Sequence, residues 1–447
     1  MTQILAVRSA FPPYRYPQAE LTRKVAEIAR LSPARRALLE RLHRNSGVDT
    51  RHTVLPLAEY GTLDGVGAAN DRYIQEATRL GERALRTALN DTGVSPGDID
   101  LLVVTSVTGV AVPSLDARLI PLLGLRPDVK RLPVFGLGCV AGAAALARVH
   151  DYLLAWPGHT AALLAVELCS LTWQAGAVTT ADLVVSGLFG DGAAAVIATG
   201  SPGRGLAEIV AARSEVYSGS GDTLGWRLGS EGFRIVLTAD LADVVERRLA
   251  GSVSSFLATR GLTTDDIATW ICHPGGPKVI DAIRKSLKLR ESAVALSRQS
   301  LAEVGNLSSA SVLHVLEKSA AGGQKEGSFG MIIGLGPGVS AELVLLKWLS
   351  SGRCWASSRS SGWRNWPCRS GTRRPACGAA ARSPEPATFP SWWRCTQACW
   401  PAASPSPSPP TGRSSRRSAG RCSPSSWPRT RCAGGASARS GRGGRRG

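Results

Sequence analysis

Leu132-Pro-Val-Phe-Gly-Leu-Gly-Cys139 is a short apolar run that ends at a cysteine, and Val140-Ala-Gly-Ala-Ala-Ala-Leu146 follows it directly. The first stretch has the length and composition of a buried strand, whereas the second is rich in Ala, which favours helix. Gly138 allows the chain to turn tightly between them, and the small side chains leave room for a buried helix. The segment therefore predicts a strand, a turn at Cys139 and a helix.

The rest of residues 1–350 alternates between the same two kinds of element. Apolar runs that predict strands begin at Leu101, Thr160, Ala193, Ala268 and Phe329. Helical segments are expected near 72–93, 115–123 and 140–155, after Pro277 and from Ser308. Such alternation favours an α/β fold with a parallel or mixed sheet that carries helices on both faces.

Two further segments place polar side chains in settings like that of Cys139. His273 follows an apolar strand in the run Trp-Ile-Cys-His273-Pro-Gly-Gly-Pro, and Asn306 follows a glycine in Glu-Val-Gly-Asn306-Leu-Ser-Ser-Ala. A thiol, an imidazole and a carboxamide supply a nucleophile, its proton partner and a hydrogen-bond donor for a thioester oxygen. A helix start or an imidazolium can lower the pKa of a cysteine and make its thiol reactive. The alternative interpretation of Cys139 is a buried cysteine with a structural role. The three settings together favour a catalytic Cys139.

These segments resemble motifs of the type III polyketide synthases, the chalcone-synthase-like branch of the thiolase fold. Five matches occur in order along residues 4–348. Gly-Cys139-Val-Ala-Gly matches the nucleophile loop, and Phe189-Gly-Asp-Gly-Ala-Ala matches the FGDGAA motif. The other three are His273-Pro-Gly-Gly-Pro for HPGGP, Gly-Asn306-Leu-Ser-Ser-Ala for GNxSSA and Gly334-Leu-Gly-Pro-Gly for GFGPG. Leu335 departs from the last motif, which has Phe there.

The resemblance implies a thiolase-like αβαβα layered sandwich of two similar halves. We place the first half, which carries Cys139, at residues 1–210, and the second half, which carries His273 and Asn306, at residues 211–349. The active site then lies between the halves.

The resemblance also implies residues that shape the substrate cavity. Phe189 matches the first of two gatekeeper phenylalanines, and Ile235 replaces the second, although Phe233 lies two residues away. In the alkylpyrone synthases of the family a tunnel runs from the cavity into the floor of the protein. Here Thr108, Val112 and Cys169 would line such a tunnel, and the alternative is that these side chains only pack in the core. Further expected substrate contacts are Ser308, Gly334, Gly336, Pro337 and Gly338.

An arginine-rich helical segment at residues 34–51 matches the region where the family binds coenzyme A. Guanidinium groups pair well with phosphates, and Arg41 and Arg44 are the candidates for this role. A solvated helix face is the alternative.

The implied reaction is an iterative decarboxylative Claisen condensation of an acyl-CoA starter with malonyl-CoA. We expect a fatty acyl starter and alkylpyrone or alkylresorcinol products, with a malonyl starter and a naphthalene-type product as the alternative. A β-ketoacyl-ACP synthase III shares the Cys, His and Asn but follows its His with Gln-Ala-Asn. A papain-like protease shares the spacing from Cys139 to His273 but not the sequence around them. No metal and no cofactor beyond the coenzyme A thioesters is expected, and the family implies a homodimer.

Residues 350–447 differ in composition from everything before them. Residues 351–447 hold 18 Arg, seven Trp and seven Cys with a single acid, Glu385, and lack Leu, Ile and Val. They account for +17 of the formal charge of +19. Such a segment cannot bury enough apolar surface to offset chain entropy, so we expect a frameshifted, disordered tail. A basic nucleic-acid-binding tail is the alternative.

The remaining 350 residues indicate a cytoplasmic protein. They hold only three cysteines, Cys139, Cys169 and Cys272, which suits a reducing compartment. The N-terminal apolar stretch is too short for a secretory signal, and no apolar run is long enough to span a membrane. Because the strong positive charge belongs to the tail, nucleic acid is not an expected partner.

Overall fold

The computed structural model describes residues 1–173, 178–203, 205–229 and 232–349. Within these ranges the strands are β1 (Thr2–Ala10), β2 (Tyr14–Pro17), β3 (Thr50–Thr53), β4 (Leu101–Thr105), β5 (Lys130–Val134), β6 (Thr160–Leu168), β7 (Asp191–Thr199), β8 (Ala207–Val216), β9 (Leu224–Gly229), β10 (Gly232–Leu237), β11 (Ile267–Cys272), β12 (Phe329–Gly336) and β13 (Ser340–Trp348).

The α-helices of the same ranges alternate with these strands. They are α1 (Gln18–Ile28), α2 (Pro33–Arg44), α3 (Gly65–Thr92), α4 (Leu115–Leu123), α5 (Ala141–Ala155), α6 (Thr180–Ser186), α7 (Leu241–Ala258), α8 (Pro277–Ser286), α9 (Ala295–Val304) and α10 (Ser311–Ala321). Single 3-10 turns precede α5 at Gly138–Val140 and α10 at Ser308–Ala310.

Nine strands form one mixed sheet in the order β11-β12-β13-β8-β1-β7-β6-β4-β5. β4 pairs in parallel with both β5 and β6, whereas β7 runs antiparallel to β6 and β1. β1 meets β8 over only three residue pairs, from Thr2 opposite Ile209 to Ile4 opposite Ala207. This short junction joins an N-terminal group of strands to a C-terminal group. β2 pairs with β3, and β9 pairs with β10.

Alternate residues of the strands pack into different hydrophobic clusters. On β6, Leu163 lies in the cluster that contains α5 and α10, and Leu164 lies in the cluster that contains α3 and α4. On β12, Ile332 joins the α5 and α10 cluster, whereas Ile333 joins a cluster with α7 and α8. Because side chains alternate between the faces of a strand, α5 and α10 form a central layer between the two groups of strands. The layers are therefore helix, sheet, helix, sheet and helix, which confirms the predicted αβαβα sandwich.

Three sequence-based expectations bear on the ends and divisions of the chain. The predicted boundary after residue 210 falls within β8, and the division of the chain there stays a prediction. The frameshifted, disordered tail predicted for residues 350–447 lies outside the described residues. No helix among the described residues combines the length and apolar character that crossing a bilayer requires.

Candidate active site

The candidate site lies where several strands end. β4, β5 and β6 run in parallel, and they are followed by Thr108, Cys139 and Cys169 respectively. β7 is antiparallel to β6, with Leu168 opposite Asp191, so Phe189 just before β7 lies at the same edge. In α/β sheets the carboxyl ends of the strands are the usual place for ligand binding.

Close backbone packing holds the turn that carries Cys139. Gly138 has a φ of +56°, a left-handed conformation that favours glycine, in the 3-10 turn before α5. A Cβ atom on Gly142 would lie 2.1 Å from the carbonyl oxygen of Ser309. The start of α5 therefore packs directly against the turn before α10, which brings the segments of Cys139 and Asn306 together.

The predicted Gly334 loop packs on the same turn. A Cβ atom on Gly336 would lie 2.7 Å from the backbone nitrogen of Val140, and one on Gly334 would lie 2.8 Å from the Cβ of Ala143. Pro337 contacts Gly138, since a Cβ there would come within 2.6 Å of the proline ring. Gly338 donates its N–H to the carbonyl of Leu224, 2.8 Å away. The glycines thus permit the end of β12 to approach the nucleophile turn.

The thiol of Cys139 is half-buried and 3.6 Å from the hydroxyl oxygen of Ser308. Burial raises the pKa of Cys139 to about 12, hydrogen bonds from Ser308 and Asn306 oppose this rise, and the nearby Glu167 carboxylate adds to it. The sequence predicted a lowered pKa from the helix start. In this state desolvation outweighs that effect, because the thiolate loses more hydration than the surrounding dipoles return.

Hydrogen bonds fix the side-chain amide of Asn306. Its Oδ1 accepts from the backbone N–H of Ser308 at 2.8 Å and from the hydroxyl of Ser311 at 3.1 Å. Its Nδ2 is 3.4 Å from the carbonyl oxygen of Gly275, and it also contributes a hydrogen bond at Cys139. The amide therefore presents its N–H groups, and not its oxygen, towards the nucleophile.

His273 is buried directly after β11, and its backbone N–H donates to the carbonyl of Ile333 at 2.9 Å. Gly275 donates its N–H to the His273 carbonyl at 3.0 Å and places its own carbonyl against Asn306. This glycine thus links the two residues. Burial lowers the pKa of His273 to about 4, so the ring is neutral at neutral pH. Within the described ranges, its Nδ1 has no hydrogen-bond partner.

The segment of Phe189 is paired to the segment of Asn306 through the backbone. Asn306 donates its N–H to the carbonyl of Leu188 at 2.8 Å, and Gly190 donates to the Asn306 carbonyl at 3.0 Å. Beneath this pairing lies Arg51, whose Nη1 donates to the Phe189 carbonyl at 2.6 Å. Burial lowers the pKa of Arg51 to about 10, which still leaves it charged at neutral pH. The FGDG segment therefore supports the site as well as lining it.

A buried carboxylate lies behind the nucleophile. Glu167, at the end of β6, is 0% exposed, and its Oε2 accepts from the N–H of Val107 at 3.1 Å and the hydroxyl of Thr108 at 3.0 Å. Its Oε1 accepts from the hydroxyl of Ser309 at 2.5 Å. Burial raises the pKa of Glu167, and these hydrogen bonds oppose the rise. Glu167 thus ties the N-terminal strands to the turn that precedes α10.

A space of about 330 Å³ opens over Cys139. Its wall includes six of the predicted substrate-binding residues, which are Thr108, Cys169, Phe189, Ile235, Ser308 and Pro337. Thr108 also borders a second space of about 1020 Å³, and Cys169 borders a third of about 550 Å³. Phe233 lines the second and third spaces, whereas Ile235 faces the nucleophile.

Three other predicted site residues lie on the surface. Val112 is 89% exposed and lines none of these spaces, in contrast to its expected place in the floor tunnel. The loop that carries it leaves the sheet after β4, so its side chain points to solvent and not beneath Thr108. Arg41 and Arg44 are exposed on α2, where their guanidinium groups are accessible to a ligand.

Sequence reasoning missed Trp226 and Glu167 as site residues. Trp226 lies opposite Ile235 in the paired strands β9 and β10 and lines the space over Cys139. The signal in the sequence was a large aromatic residue in a short strand that precedes the Ile235 strand. Glu167 could have been found as a single acid in the otherwise apolar β6 run, because a buried carboxylate requires partners.

The geometry agrees with the comparisons with known proteins. The N-terminal domain model of the chalcone and stilbene synthases matches residues 1–202, and the C-terminal domain model matches residues 208–350. The chain belongs to this family and is a type III polyketide synthase, an enzyme of the acyltransferase type. The family match favours this class over a β-ketoacyl-ACP synthase III or a papain-like protease.

Relatives of known name and structure include bacterial and algal proteins. The chain is 52% identical to a 1,3,6,8-tetrahydroxynaphthalene synthase of Streptomyces peucetius subsp. caesius, over 78% of this chain and 93% of that protein. The crystal structure of the Streptomyces coelicolor A3(2) enzyme of the same name has a TM-score of 0.74 and 31% identity, over 78% of this chain and all of that one. A polyketide synthase from the brown alga Ectocarpus siliculosus has a TM-score of 0.73 and 28% identity, over 78% and 98% of the two chains.

Proposed function

We propose that this enzyme builds a naphthalene-type polyketide from malonyl-CoA alone. The observation that carries the proposal is the 52% identity to a tetrahydroxynaphthalene synthase over most of both chains. A tetrahydroxynaphthalene is a ring system without an alkyl side chain, so a fatty acyl starter cannot be incorporated into it. The starter that we predicted first from the sequence is therefore replaced by the alternative, a malonyl starter.

In the proposed reaction, Cys139 carries the growing chain as a thioester. The thiol attacks the thioester carbonyl of the starter, its proton passes to the neutral imidazole of His273, and coenzyme A leaves. Arg41 and Arg44 are the proposed contacts for the phosphates of coenzyme A.

Extension begins with decarboxylation of a second malonyl thioester. Loss of CO2 leaves an enolate, whose oxygen would be stabilised by hydrogen bonds from the Asn306 Nδ2 and from His273. The enolate carbon attacks the carbonyl carbon of the thioester on Cys139, a carbon–carbon bond forms, and the thiolate leaves. The lengthened chain is now a thioester of coenzyme A, and it acylates Cys139 again with release of coenzyme A before the next cycle.

The walls of the cavity support a small starter. Trp226, Phe189 and Ile235 surround the space over Cys139, and all three side chains are large and apolar. Trp226 lies directly opposite Ile235 across two paired strands, so the two side chains lie side by side on one face of this strand pair. An aromatic side chain at this position leaves less room for a long alkyl chain beside the thiol.

The direct test is to supply the purified enzyme with malonyl-CoA as its only substrate and to identify the products by mass. We expect a naphthalene-type product from malonyl-CoA alone and no product from Cys139→Ala. Product that forms only after a longer acyl-CoA is added would contradict a malonyl starter. Trp226→Ala should then increase the use of longer starters relative to the unaltered enzyme.

A fatty acyl starter is the second candidate, and one observation favours it. Thr108 borders both the space over Cys139 and the larger space of about 1020 Å³, which is also lined by Leu63 and Val66. This space would accept an alkyl chain that passes Thr108. The candidate predicts alkylpyrones or alkylresorcinols when dodecanoyl-CoA competes with malonyl-CoA for loading, and the same product analysis detects them.

We further propose that the enzyme is a cytoplasmic homodimer. β5 is one edge strand of the sheet and carries the exposed Leu132, and further exposed apolar side chains lie in the segments that follow β4 and β5, namely Val110, Val112, Phe135 and Leu137. Exposed apolar side chains of this kind mark a surface that association covers. Leu132→Glu should therefore give a monomer in sedimentation analysis, while Leu228→Glu, a change at an exposed position on β9, should not. The three cysteines of the described ranges are all unpaired, which supports a reducing compartment.

A further inference from the structure

The orientation of the Asn306 amide determines whether it helps or opposes the enolate. An enolate oxygen requires N–H donors, and a rotation of the amide by half a turn would present Oδ1 instead. Two atoms identify the oxygen without ambiguity: the backbone N–H of Ser308 can only donate, and the carbonyl of Gly275 can only accept. The side-chain oxygen therefore faces Ser308, and the N–H groups face the reaction.

Ser311 is the second donor to that oxygen. It is the first residue of α10, it is 0% exposed, and its hydroxyl oxygen lies 3.1 Å from Oδ1 of Asn306. The same hydroxyl oxygen accepts the N–H of Leu307 at 2.6 Å. Because a serine hydroxyl has one hydrogen to donate, this acceptor bond orients the hydroxyl so that its hydrogen points to Asn306.

We propose that Ser311 is a positioning residue for decarboxylation, which acts by holding the amide of Asn306 with its N–H groups towards the substrate. Ser311 does not touch the reacting atoms. This inference rests on the role given above to Asn306 and adds the residue that makes that role possible. The rotated amide would place an oxygen lone pair against the developing negative charge, so the larger effect falls on the enolate step. Thioester formation depends on Asn306 only through its hydrogen bond at Cys139.

The test compares two rates in one protein. CO2 release from malonyl-CoA reports the enolate step, and the mass increase of the protein after rapid mixing with butanoyl-CoA reports acylation of Cys139. In Ser311→Ala we expect CO2 release to fall about five- to tenfold, the loss typical of one hydrogen bond, with a clearly smaller fall in acylation. Ser311→Cys, which retains a weak donor, should recover part of the loss.

The matched control is Ser300→Ala. Ser300 is also 0% exposed, and within the described residues its hydroxyl has no hydrogen-bond partner. The same chemical change there should leave both rates unaltered, which separates the loss of a buried hydroxyl from the loss of this contact.

A double variant distinguishes positioning from a general structural role. Once Asn306 is Ala, the Ser311→Ala change has nothing to position, so the double variant should release CO2 at the rate of Asn306→Ala alone. Independent, multiplicative losses would overturn the proposal, and so would an equal fall of acylation and CO2 release in Ser311→Ala or no fall at all. An unaltered enzyme that releases no CO2 from malonyl-CoA would instead overturn the proposed function.

Discussion

At the scale of single residues, burial moves the nucleophile and its proton partner in opposite directions. It raises the pKa of Cys139 to about 12 and lowers the pKa of His273 to about 4. Between these values the thiol keeps its proton and the imidazole is neutral, because burial disfavours the charged form of each group. The site therefore keeps a constant charge across the physiological range.

This neutral pair predicts how the thiol reacts with a neutral alkylating agent. The reactive thiolate is the minor form throughout the physiological range, and its fraction rises about tenfold with each unit of pH below the pKa of Cys139. We expect the rate at which iodoacetamide inactivates the enzyme to rise about tenfold for each pH unit from about pH 6 to 9, because this window lies well below the pKa of the thiol and above that of His273.

His273→Gln provides the control for the alkylation measurement. Because the resting imidazole is neutral and does not hold the thiol proton, this variant should show the same rise of about tenfold for each pH unit. A rate that stays constant over this window in the unaltered enzyme, and rises with pH only in His273→Gln, would contradict the neutral pair.

At the scale of elements, contact between the start of α5 and the turn before α10 aligns the site. The segments are so close that only a residue without a side chain fits at Gly142, against the Ser309 carbonyl. The neighbouring Glu167 hydrogen bonds to Ser309 and Thr108 fix the same junction. Small displacements here would move Cys139 relative to Asn306.

Gly142→Ala should therefore lower both stability and activity. The added methyl group meets backbone and not a flexible side chain, so we expect a loss of about 1–3 kcal/mol in the free energy of unfolding, as for other overpacking changes. Denaturant unfolding measures the loss. Gly158→Ala is the matched control, since a Cβ there would meet no atom within 4 Å. Equal stability of the two variants would contradict the close contact.

The same elements mark what the sequence could predict. The strand, turn and helix around Cys139 and the segments of His273 and Asn306 follow from local patterns, because composition and glycine positions determine local backbone structure. The side of the cavity formed by Trp226 and Ile235 depends on strand pairing between β9 and β10, and the orientation of the Asn306 amide depends on contacts with Ser308 and Ser311. No local sequence pattern encodes either arrangement. The exposure of Val112 could not be predicted either, because an apolar side chain is expected to be buried.

At the scale of the whole molecule, residues 1–349 complete the layered sandwich. Trp348, the last residue of β13, is buried in the central cluster, and Leu349 donates its N–H to the carbonyl of Leu206 at 3.1 Å. The family models also match no further than residue 350. The described fold thus has its core and its site within this length.

A chain that ends at Ser350 should accordingly fold and retain the activity of the full chain. Residues 351–447 lack Leu, Ile and Val and carry +17 of the formal charge, so their removal should leave the apolar core of the described fold unchanged. Circular dichroism and the malonyl-CoA assay check both expectations. A truncated chain that fails to fold would show that the tail packs on the rest of the protein.

The central claim is that Cys139 carries the growing chain, and mass mapping of the protein after brief reaction with malonyl-CoA tests it most directly. We predict acyl adducts on the peptide that contains Cys139 in the unaltered enzyme and in Cys169→Ala, and none in Cys139→Ala. Adducts confined to Cys169, or adducts that persist without the Cys139 thiol, would contradict the account.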